Sequence, residues 1–306
     1  MSTRFHAAVL LAAIAAAPAA AEGLEGTIWL PASSKAVGIE ALMERVQAAG
    51  IVILGESHDN PRHHALQARM VERIAAAGRR PVTAFEMIDT DQQAKLTAAR
   101  SDLAGLGETM DWERRGWPDW AWYRPIAEAT LAAGGDLVAA NLPRDLGRQI
   151  ARQTEAADTT ERFGLDTPLP PAEAEAMAED IRTGHCNLLP EPAIAGMVRV
   201  QRARDAAMAE TLAEQAARPE VSPVVLIAGA GHARTDHGVP ARLHALVPGI
   251  VTFSVAFIEV EEGQTAPASY AGQFGAKRLP FDAVWFTPRA EREAPCAQME
   301  RQMKKK

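Results

Sequence analysis

Short apolar runs, each followed by a stretch of helical pattern, are the feature that most constrains the fold. The runs are Ile51–Leu54, Val82–Phe85, Leu137–Ala140, Val224–Ala228, Val251–Phe257 and Ala283–Phe286. Runs of this length without polar alternation are typical of strands that are buried on both faces. Strands that alternate with helices predict an α/β fold with a largely parallel sheet flanked by helices.

The segments between the runs supply the predicted helices. Pro61–Gly78 follows Asn60, a favourable N-cap, and has apolar residues every four positions on one face. A second helical stretch extends from about 91 to 103. The segment at about 145–220 is rich in Ala and Glu, and we interpret it as a helical cap inserted over the sheet.

The first 21 residues have the pattern of a secretory signal peptide. Arg4 and His6 precede an apolar run that is too short to span a bilayer, and small residues before Glu22 provide a cleavage site. No cysteine follows the cleavage region, so the lipid-carrying residue of a lipoprotein is absent. We therefore expect a periplasmic or secreted protein in which residues 22–306 form a single domain.

Charge and cysteine content narrow the classes of partner. The formal net charge is −7, whereas a nucleic-acid-binding protein would need a basic face, so nucleic acid is not an expected partner. Cys186 and Cys296 would be able to pair in an oxidising compartment. Two separate buried thiols are the alternative, because the sequence does not give the distance between them.

Chemically capable side chains follow four of the predicted strands. They are Glu56 and His58 after the first strand, Glu86 after the second, Asn141 after the third and His232 after the fourth. The carboxyl ends of parallel strands meet at one edge of a sheet, where ligands bind. The first and fourth strands also share a Gly-x-x-His ending, at 55–58 and 229–232. The pattern predicts one functional site at this edge.

The residue types at this predicted site allow several roles. Two imidazoles and two carboxylates could hold a divalent metal ion or act as acid and base. The structural alternative is that Glu56 and Glu86 cap nearby helix N-termini, whose positive ends favour carboxylates. We favour a functional site, because several strand ends contribute to the group together.

Two helices could add to the site. His63 and His64 lie in the first turn of the helix after the first strand, and adjacent helical residues point about 100° apart, so at most one faces the site well. In a later helix, Gln201, Arg204 and Asp205 interrupt a face that is otherwise apolar. Buried polar groups need partners, so these three bond to one another and to backbone, or they face the site.

A cluster of aromatic residues is the third feature of the sequence. Trp112, Trp117, Trp120 and Trp122 precede Tyr123 in a single short segment. Tryptophan is enriched where flat apolar ligands or partners bind, although core packing accounts for any one of these residues. A tyrosine phenolate is a known ligand of ferric haem iron, which makes Tyr123 a candidate ligand.

Seven segments match one known family in order along the chain. They are GESHDNPRHH, AFEM, WPDWAWYRPI, AANLPR, HCNLLP, QRARDAAMA and GAGHARTDHGVP. Together they resemble the ChaN-type haem-binding uptake proteins, over about residues 26–287. That family is related to the Tiki/TraB metallohydrolases and, more distantly, to erythromycin esterase-like enzymes.

The resemblance implies an exported haem-binding protein with a role in haem or iron uptake. Haem would lie against the Trp-rich segment, and the iron ligand would be Tyr123 or a histidine. The implied cofactor-binding residues are Tyr123, His58, His64, Trp120, His232 and Gln201. The implied partners are a second copy of the chain, in a homodimer, and an outer-membrane haem receptor or transport system.

The resemblance also implies an alternative function. In the Tiki relatives, Gly-x-x-His motifs and glutamates form a divalent-metal protease site, and the matching positions here are Glu56, His58, Glu86 and His232. The alternative is therefore a metal-dependent protease or esterase. A weaker third reading is a metal-free esterase that uses His58 and Glu56. The chain has no Gly-x-Ser-x-Gly elbow, which argues against a serine hydrolase.

Overall fold

An eight-stranded sheet with helices on both faces forms the centre of the protein. The computed structural model describes residues 23–293, 296–297 and 300–301, so the predicted signal peptide lies outside the described residues. The strands are β1 (Ile28–Leu30), β2 (Lys35–Val37), β3 (Ile51–Glu56), β4 (Val82–Asp89), β5 (Asp136–Asn141), β6 (Val224–Gly229), β7 (Thr252–Glu259) and β8 (Ala283–Thr287). The helices are α1 (Ile39–Ala48), α2 (Pro61–Ala76), α3 (Gln93–Ala99), α4 (Leu106–Thr109), α5 (Trp120–Ala132), α6 (Arg144–Arg152), α7 (Ala157–Arg162), α8 (Pro171–Gly184), α9 (Glu191–Ala216) and α10 (Val239–Leu246).

The strand order is β2-β1-β8-β7-β3-β6-β4-β5, and β3 to β8 all run parallel. β1 pairs antiparallel with β8 and with β2 at the edge of the sheet. The predicted α/β class is therefore confirmed. β3 lies between β6 and β7, with Ile51 opposite Val224 and Thr252. This order places the two Gly-x-x-His endings, after β3 and β6, on neighbouring strands.

Both faces of the sheet are covered, which explains the unbroken apolar runs. Val52 and Leu54 of β3 belong to a core with residues of α2 and α5. Ile51 and Ile53 point to the opposite face and belong to a core with residues of α9 and α10. Successive strand residues alternate between faces, so a doubly covered strand must be apolar at every position.

The segment at about 145–220 is helical, as predicted. It contains α7, α8 and α9 and most of α6, and the C-terminal part of α9 packs on the sheet through Met208 and Leu212. Leu142, Ile150, Phe163 and Val200 form a further small core between these helices. None of the helices in the described part of the chain is long and apolar enough to cross a membrane.

Cys186 and Cys296 form a disulfide, with their Cα atoms 5.4 Å apart, which resolves the alternative that the sequence left open. The bond joins the turn after α8 to the segment that follows β8. Formation of such a bond is consistent with an oxidising compartment.

Gly55 allows β3 to approach the turn that follows β6. A Cβ at this position would lie 2.6 Å from the Cβ of Ala233 and 3.0 Å from the Cα of Ala230. These distances leave no space for a methyl group, so the two Gly-x-x-His segments can pack together only with glycine here.

We expect Gly55→Ala to lower the free energy of unfolding by about 1–3 kcal/mol, because the added methyl group overpacks this contact. Gly50→Ala is the matched control, since a Cβ there would meet only the carbonyl oxygen of Val251, at 3.7 Å. Chemical denaturation of both variants checks the prediction. Equal stabilities for the two variants would contradict it.

Candidate functional site at the carboxyl end of the sheet

The structure brings together four of the five strand-end residues that the sequence singled out, while the fifth, Asn141, bonds to the backbone N–H of Leu142. Nδ1 of His58 lies 2.9 Å from Oε1 of Glu56, and its Nε2 lies 3.9 Å from Oε2 of Glu86. Nε2 of His232 lies 3.3 Å from Oε1 of Glu86. His58 thus links the two glutamates, and the four side chains form one continuous group.

The alternation of strand residues explains why two glutamates are needed to build this group. Glu56 lies on the same face of the sheet as Leu54, towards α2 and α5, while Glu86 lies on the same face as Ala84, towards α9. Both glutamates are buried. His58 follows the end of β3 and contacts both carboxylates, so it connects the two faces.

On the first face, Glu56 accepts a hydrogen bond from the hydroxyl of Tyr123 at 2.7 Å, and Nδ1 of His64 lies 3.1 Å from its other oxygen. His64 also bonds to the amide oxygen of Gln67 at 3.2 Å and to the carbonyl of His58 at 2.9 Å. Both partners can only accept, so both ring nitrogens of His64 carry hydrogen. His64 is therefore an imidazolium that neutralises Glu56.

On the second face, Glu86 accepts a hydrogen bond from the backbone N–H of Gly229 at 2.7 Å. His232 lies between Glu86 and Asp205, and its Nδ1 is 2.6 Å from the Asp205 carboxylate. The amide of Gln201 is 3.1 Å from the same nitrogen. Of the polar residues on α9, Gln201 and Asp205 therefore contact the site through His232.

The two carboxylates and the buried histidines hold one another in their charged forms. Burial opposes ionisation of Glu56, but His64 and His58 outweigh it and lower the pKa of Glu56 to about 2. The pKa of Glu86 is also lowered, because His232 and His58 outweigh burial. Burial likewise opposes ionisation of His232, but the carboxylates of Glu86 and Asp205 outweigh it and raise the pKa of His232 to about 10.

His58 differs from the other histidines of the group because solvent reaches it. Its side chain is 33% exposed, whereas those of His64 and His232 are 0% and 7% exposed. Burial opposes its protonation, but Glu86 and Glu56 outweigh burial and raise the pKa of His58. Its Nδ1 bonds to Glu56, while Nε2 has no hydrogen bond to any described residue. Gly229 leaves room for this nitrogen, since a Cβ there would lie 3.0 Å from it.

The tryptophans divide into two pairs. Trp112 and Trp120 are buried core residues whose indole N–H groups bond to backbone carbonyls. Trp117 and Trp122 are partly buried and flank the site. The Trp117 ring is 5.1 Å from the His58 ring, and the Trp122 ring is 6.0 Å from the His64 ring. Trp117 therefore forms an apolar wall beside His58.

Comparison with known proteins places this arrangement in a family. The sequence model described as "Haem-binding uptake, Tiki superfamily, ChaN" matches residues 42–243. The chain belongs to the ChaN family of haem-binding uptake proteins. This confirms the resemblance found in the sequence. A comparison with curated proteins gives no match.

Two solved structures share the fold. One is described as "Cofacial heme binding to ChaN of Campylobacter jejuni"; it is 19% identical, the match covers 84% of this chain and 95% of that one, and the TM-score is 0.62. The other is an erythromycin esterase mutant in its open conformation; it is 13% identical, covers the same shares of the two chains, and has a TM-score of 0.50. At these identities the likeness shows the fold alone.

The structure places Tyr123 in the core, behind Glu56. Its side chain is fully buried, and its hydroxyl donates to Glu56. Burial raises the pKa of Tyr123 far above its usual value, and the neighbouring Glu56 carboxylate raises it further. In the absence of a metal ion the hydroxyl therefore stays protonated and engaged by Glu56, and the role of Tyr123 as an iron ligand stays a prediction.

Three other predicted cofactor contacts are also inaccessible. His64 and His232 are buried, with both ring nitrogens engaged by site residues, and Trp120 is 6% exposed. Of the six predicted cofactor-binding residues, only His58 and Gln201 retain accessible surface. The sequence pattern could not separate the buried members of this predicted group from the exposed ones.

The predicted metal ligands pair with one another in this structure. In the described part of the chain, no cluster of three or more His, Cys, Asp and Glu side chains has the arrangement of a metal site. The physical reason lies in Glu56, Glu86 and His232, whose polar atoms already face charged or hydrogen-bonding partners. Of the four side chains, that of His58 is the most exposed, and its Nε2 has no hydrogen bond to a described residue.

Sequence reasoning missed Asp89 and Arg115, which lie at the same edge of the sheet. The predicted second strand ended at Phe85, but β4 continues to Asp89, whose buried carboxylate pairs with Arg115.

His63 also has a structural role that the sequence did not indicate. It accepts the backbone N–H of Ser57 at 2.9 Å, and burial lowers the pKa of His63 to about 4.

The charge balance on the second face predicts a pH dependence of stability. The pKa of His232 is raised from 6.5 to about 10 in the folded protein, so its contribution is full below pH 6.5 and is lost as pH rises towards 10. We expect Asp205→Asn to shift this alkaline loss to lower pH, because one of the two carboxylates that raise the pKa is removed.

Thermal unfolding between pH 6.5 and 10 measures the shift. Asp145→Asn is the control, since Asp145 is an exposed carboxylate that pairs with Arg148 on the surface. An alkaline midpoint that is the same in Asp205→Asn and in the control would show that Asp205 does not set the pKa of His232.

Proposed function

We propose that this protein binds haem on the accessible side of the strand-end site, with His58 as the iron ligand. The observation that carries the proposal is the state of the His58 imidazole: the side chain is 33% exposed, Nδ1 bonds to Glu56, and Nε2 has no hydrogen bond to a described residue. Histidines that ligate metals almost always donate their other N–H to a carboxylate, a carbonyl or water. Membership of the ChaN family supports haem as the group that is bound.

The residues around His58 fit this role. Glu56 orients the imidazole, and Glu56 is itself held by Tyr123 and His64, so the ring has a fixed direction. Trp117 lies edge-on to His58 and offers an apolar surface for a flat macrocycle. Bound haem would supply a redox-active iron centre. The chain would hold it and limit access of water to one face.

Export and uptake are part of the same proposal. The predicted signal peptide at 1–21 and the disulfide between Cys186 and Cys296 support an extracytoplasmic location. His58 and Trp117 provide only one wall, so a haem bound there would keep its other face exposed. We propose that a second copy of the chain covers that face in a homodimer, and that the dimer passes haem to or from an outer-membrane receptor or transport system.

Hemin titration tests the haem proposal. We expect wild type to shift the Soret band saturably and Tyr123→Phe to give the same spectrum, because Tyr123 lies behind Glu56. His58→Ala should lose the shift or weaken binding by about tenfold or more, since it removes the iron ligand. The exposed histidine of α10 provides the control, as His244→Ala.

Two results would contradict the assignment. No saturable shift with wild type would remove haem as the ligand. A wild-type spectrum in His58→Ala, together with an altered one in Tyr123→Phe, would transfer the ligand role to the tyrosine. Circular dichroism of each variant confirms that it is folded.

A second candidate function is hydrolysis, which one specific observation favours. His58 is an accessible imidazole bonded to Glu56 and close to Glu86, as in a general base with an orienting carboxylate. The metal-dependent form of this candidate requires a metal ion at the same residues, with a carboxylate as general base.

Ester and peptide hydrolysis, measured with and without added Mn²⁺ or Zn²⁺, tests this candidate. If it is correct, activity should fall by about 10²-fold or more in His58→Ala and persist in His244→Ala. Metal analysis of the purified protein separates the metal-dependent form from the metal-free form. Absence of hydrolysis under all these conditions would remove the candidate.

A further inference from the structure

A group of arginines lies beside the candidate site at the carboxyl end of β4 and β5. We call Arg115, Arg144 and Arg204 the arginine rim. Arg115 precedes Trp117 by two residues, and Trp117 contacts His58. Arg204 is adjacent to Asp205 on α9, and Asp205 contacts His232. The arginine rim is therefore close in sequence to residues that contact His58 and to residues that contact His232.

Arg115 and Arg144 are held in place by a shared buried carboxylate. The Arg115 guanidinium pairs with Asp89, which is 4% exposed at the end of β4. The same carboxylate accepts the backbone N–H of Arg144 at 3.3 Å. The Arg144 guanidinium in turn donates to the backbone carbonyl of Arg115. Two positive side chains are thus positioned around one negative group.

Packing between α6 and α9 brings Arg204 to the same place. A Cβ on Gly147 would meet the side chain of Val200 at 3.9 Å, and a Cβ on Gly196 would meet the carbonyl oxygen of Ala151 at 2.6 Å. The two helices therefore run antiparallel in contact, and the start of α6 lies beside the turn of α9 that follows Val200. That turn contains Arg204.

The charges in the arginine rim are not balanced by the protein. Arg115 has Asp89, and neighbouring Arg148 has Asp145, but neither Arg144 nor Arg204 forms an ion pair with a described residue. Burial lowers the pKa of Arg144, and the positive charges of Arg115, Arg204 and Arg148 lower it further. Arg144 remains exposed, so an anion from solution can reach it. Guanidinium groups that lie close together without a carboxylate partner favour the binding of an anion.

We propose that Arg144 and Arg204 form an oxyanion subsite that binds a carboxylate of the ligand seated against His58. Guanidinium groups match the geometry of carboxylates and can bind them through two parallel hydrogen bonds. Asp89 follows Glu86 by three residues on β4, which corresponds to no more than about 10 Å, because the strand is irregular between Phe85 and Asp89. The subsite is therefore displaced from the iron-binding end of the site, towards the edge of the ligand.

The chemistry of haem matches this separation, and to that extent the inference rests on the proposed function. Haem has a flat apolar body and carries two propionate carboxylates on one edge. The body would lie against Trp117 and His58, and a propionate would extend to Arg144 and Arg204. The arginine rim would then determine which way the macrocycle is oriented.

Hemin and its dimethyl ester, whose carboxylates are blocked, separate this inference from haem binding itself. Both ligands are titrated against wild type, the double variant Arg144→Gln/Arg204→Gln, and Arg152→Gln. Arg152 is an exposed arginine on the same helix as Arg144, about 12 Å further along it, and serves as the matched control.

We expect the double variant to bind hemin roughly tenfold more weakly than wild type, because two accessible charge contacts are lost. Its affinity for the dimethyl ester should equal that of wild type, and Arg152→Gln should match wild type for both ligands. Hemin binding by wild type should also weaken with added salt, and less so in the double variant.

Two outcomes overturn the inference, and they are distinguishable. If wild type and the double variant bind hemin equally, the oxyanion subsite is wrong while haem binding stands. If wild type shows no saturable binding of hemin, both the subsite and the proposed function are wrong. Both substituted side chains reach solvent, and circular dichroism verifies that the double variant is folded.

Discussion

The contact of His58 with two glutamates on opposite faces of the sheet is the interaction on which the candidate site depends. Glu56 points to the α2–α5 side and Glu86 to the α9 side, and neither could reach the other through the strands. His58 lies beyond the strand ends, where both carboxylates are within reach. The two hydrogen-bonded groups therefore act as one electrostatic unit, although the sheet separates them.

Burial and charge together determine which atoms of this unit are available to a ligand. Buried carboxylates are costly unless they are paired, and each of the two glutamates faces a histidine that is inaccessible to solvent. Those histidines support the site and are poor candidates for ligand contacts. The imidazole of His58 is left as the exposed group, with its orientation determined by Glu56. This division between supporting and exposed residues is the basis for proposing His58, rather than Tyr123, as the iron ligand.

Much of the fold could be predicted from local pattern. The runs at Ile51–Leu54 and Val224–Ala228 are apolar at every position because both faces of the sheet are covered, and the Asn60–Pro61 start of α2 is a local signal. The β1–β2 hairpin was not predicted, since three-residue strands have too little pattern to recognise. The β4 extension to Asp89 was also missed, because the polar residues Glu86 and Asp89 interrupt the apolar run that marks a strand.

The sequence by itself determined that Glu56, His58, Glu86 and His232 would meet, because residues that follow parallel strands must gather at one edge of the sheet. Only the tertiary structure decided what each residue can do there. The burial of Tyr123, the pairing of His232 with Asp205 and the convergence of Arg144 with Arg204 depend on how helices distant in sequence pack on the sheet. Solvent access and charge balance arise from that packing, and neither is encoded in the spacing of residues along the chain.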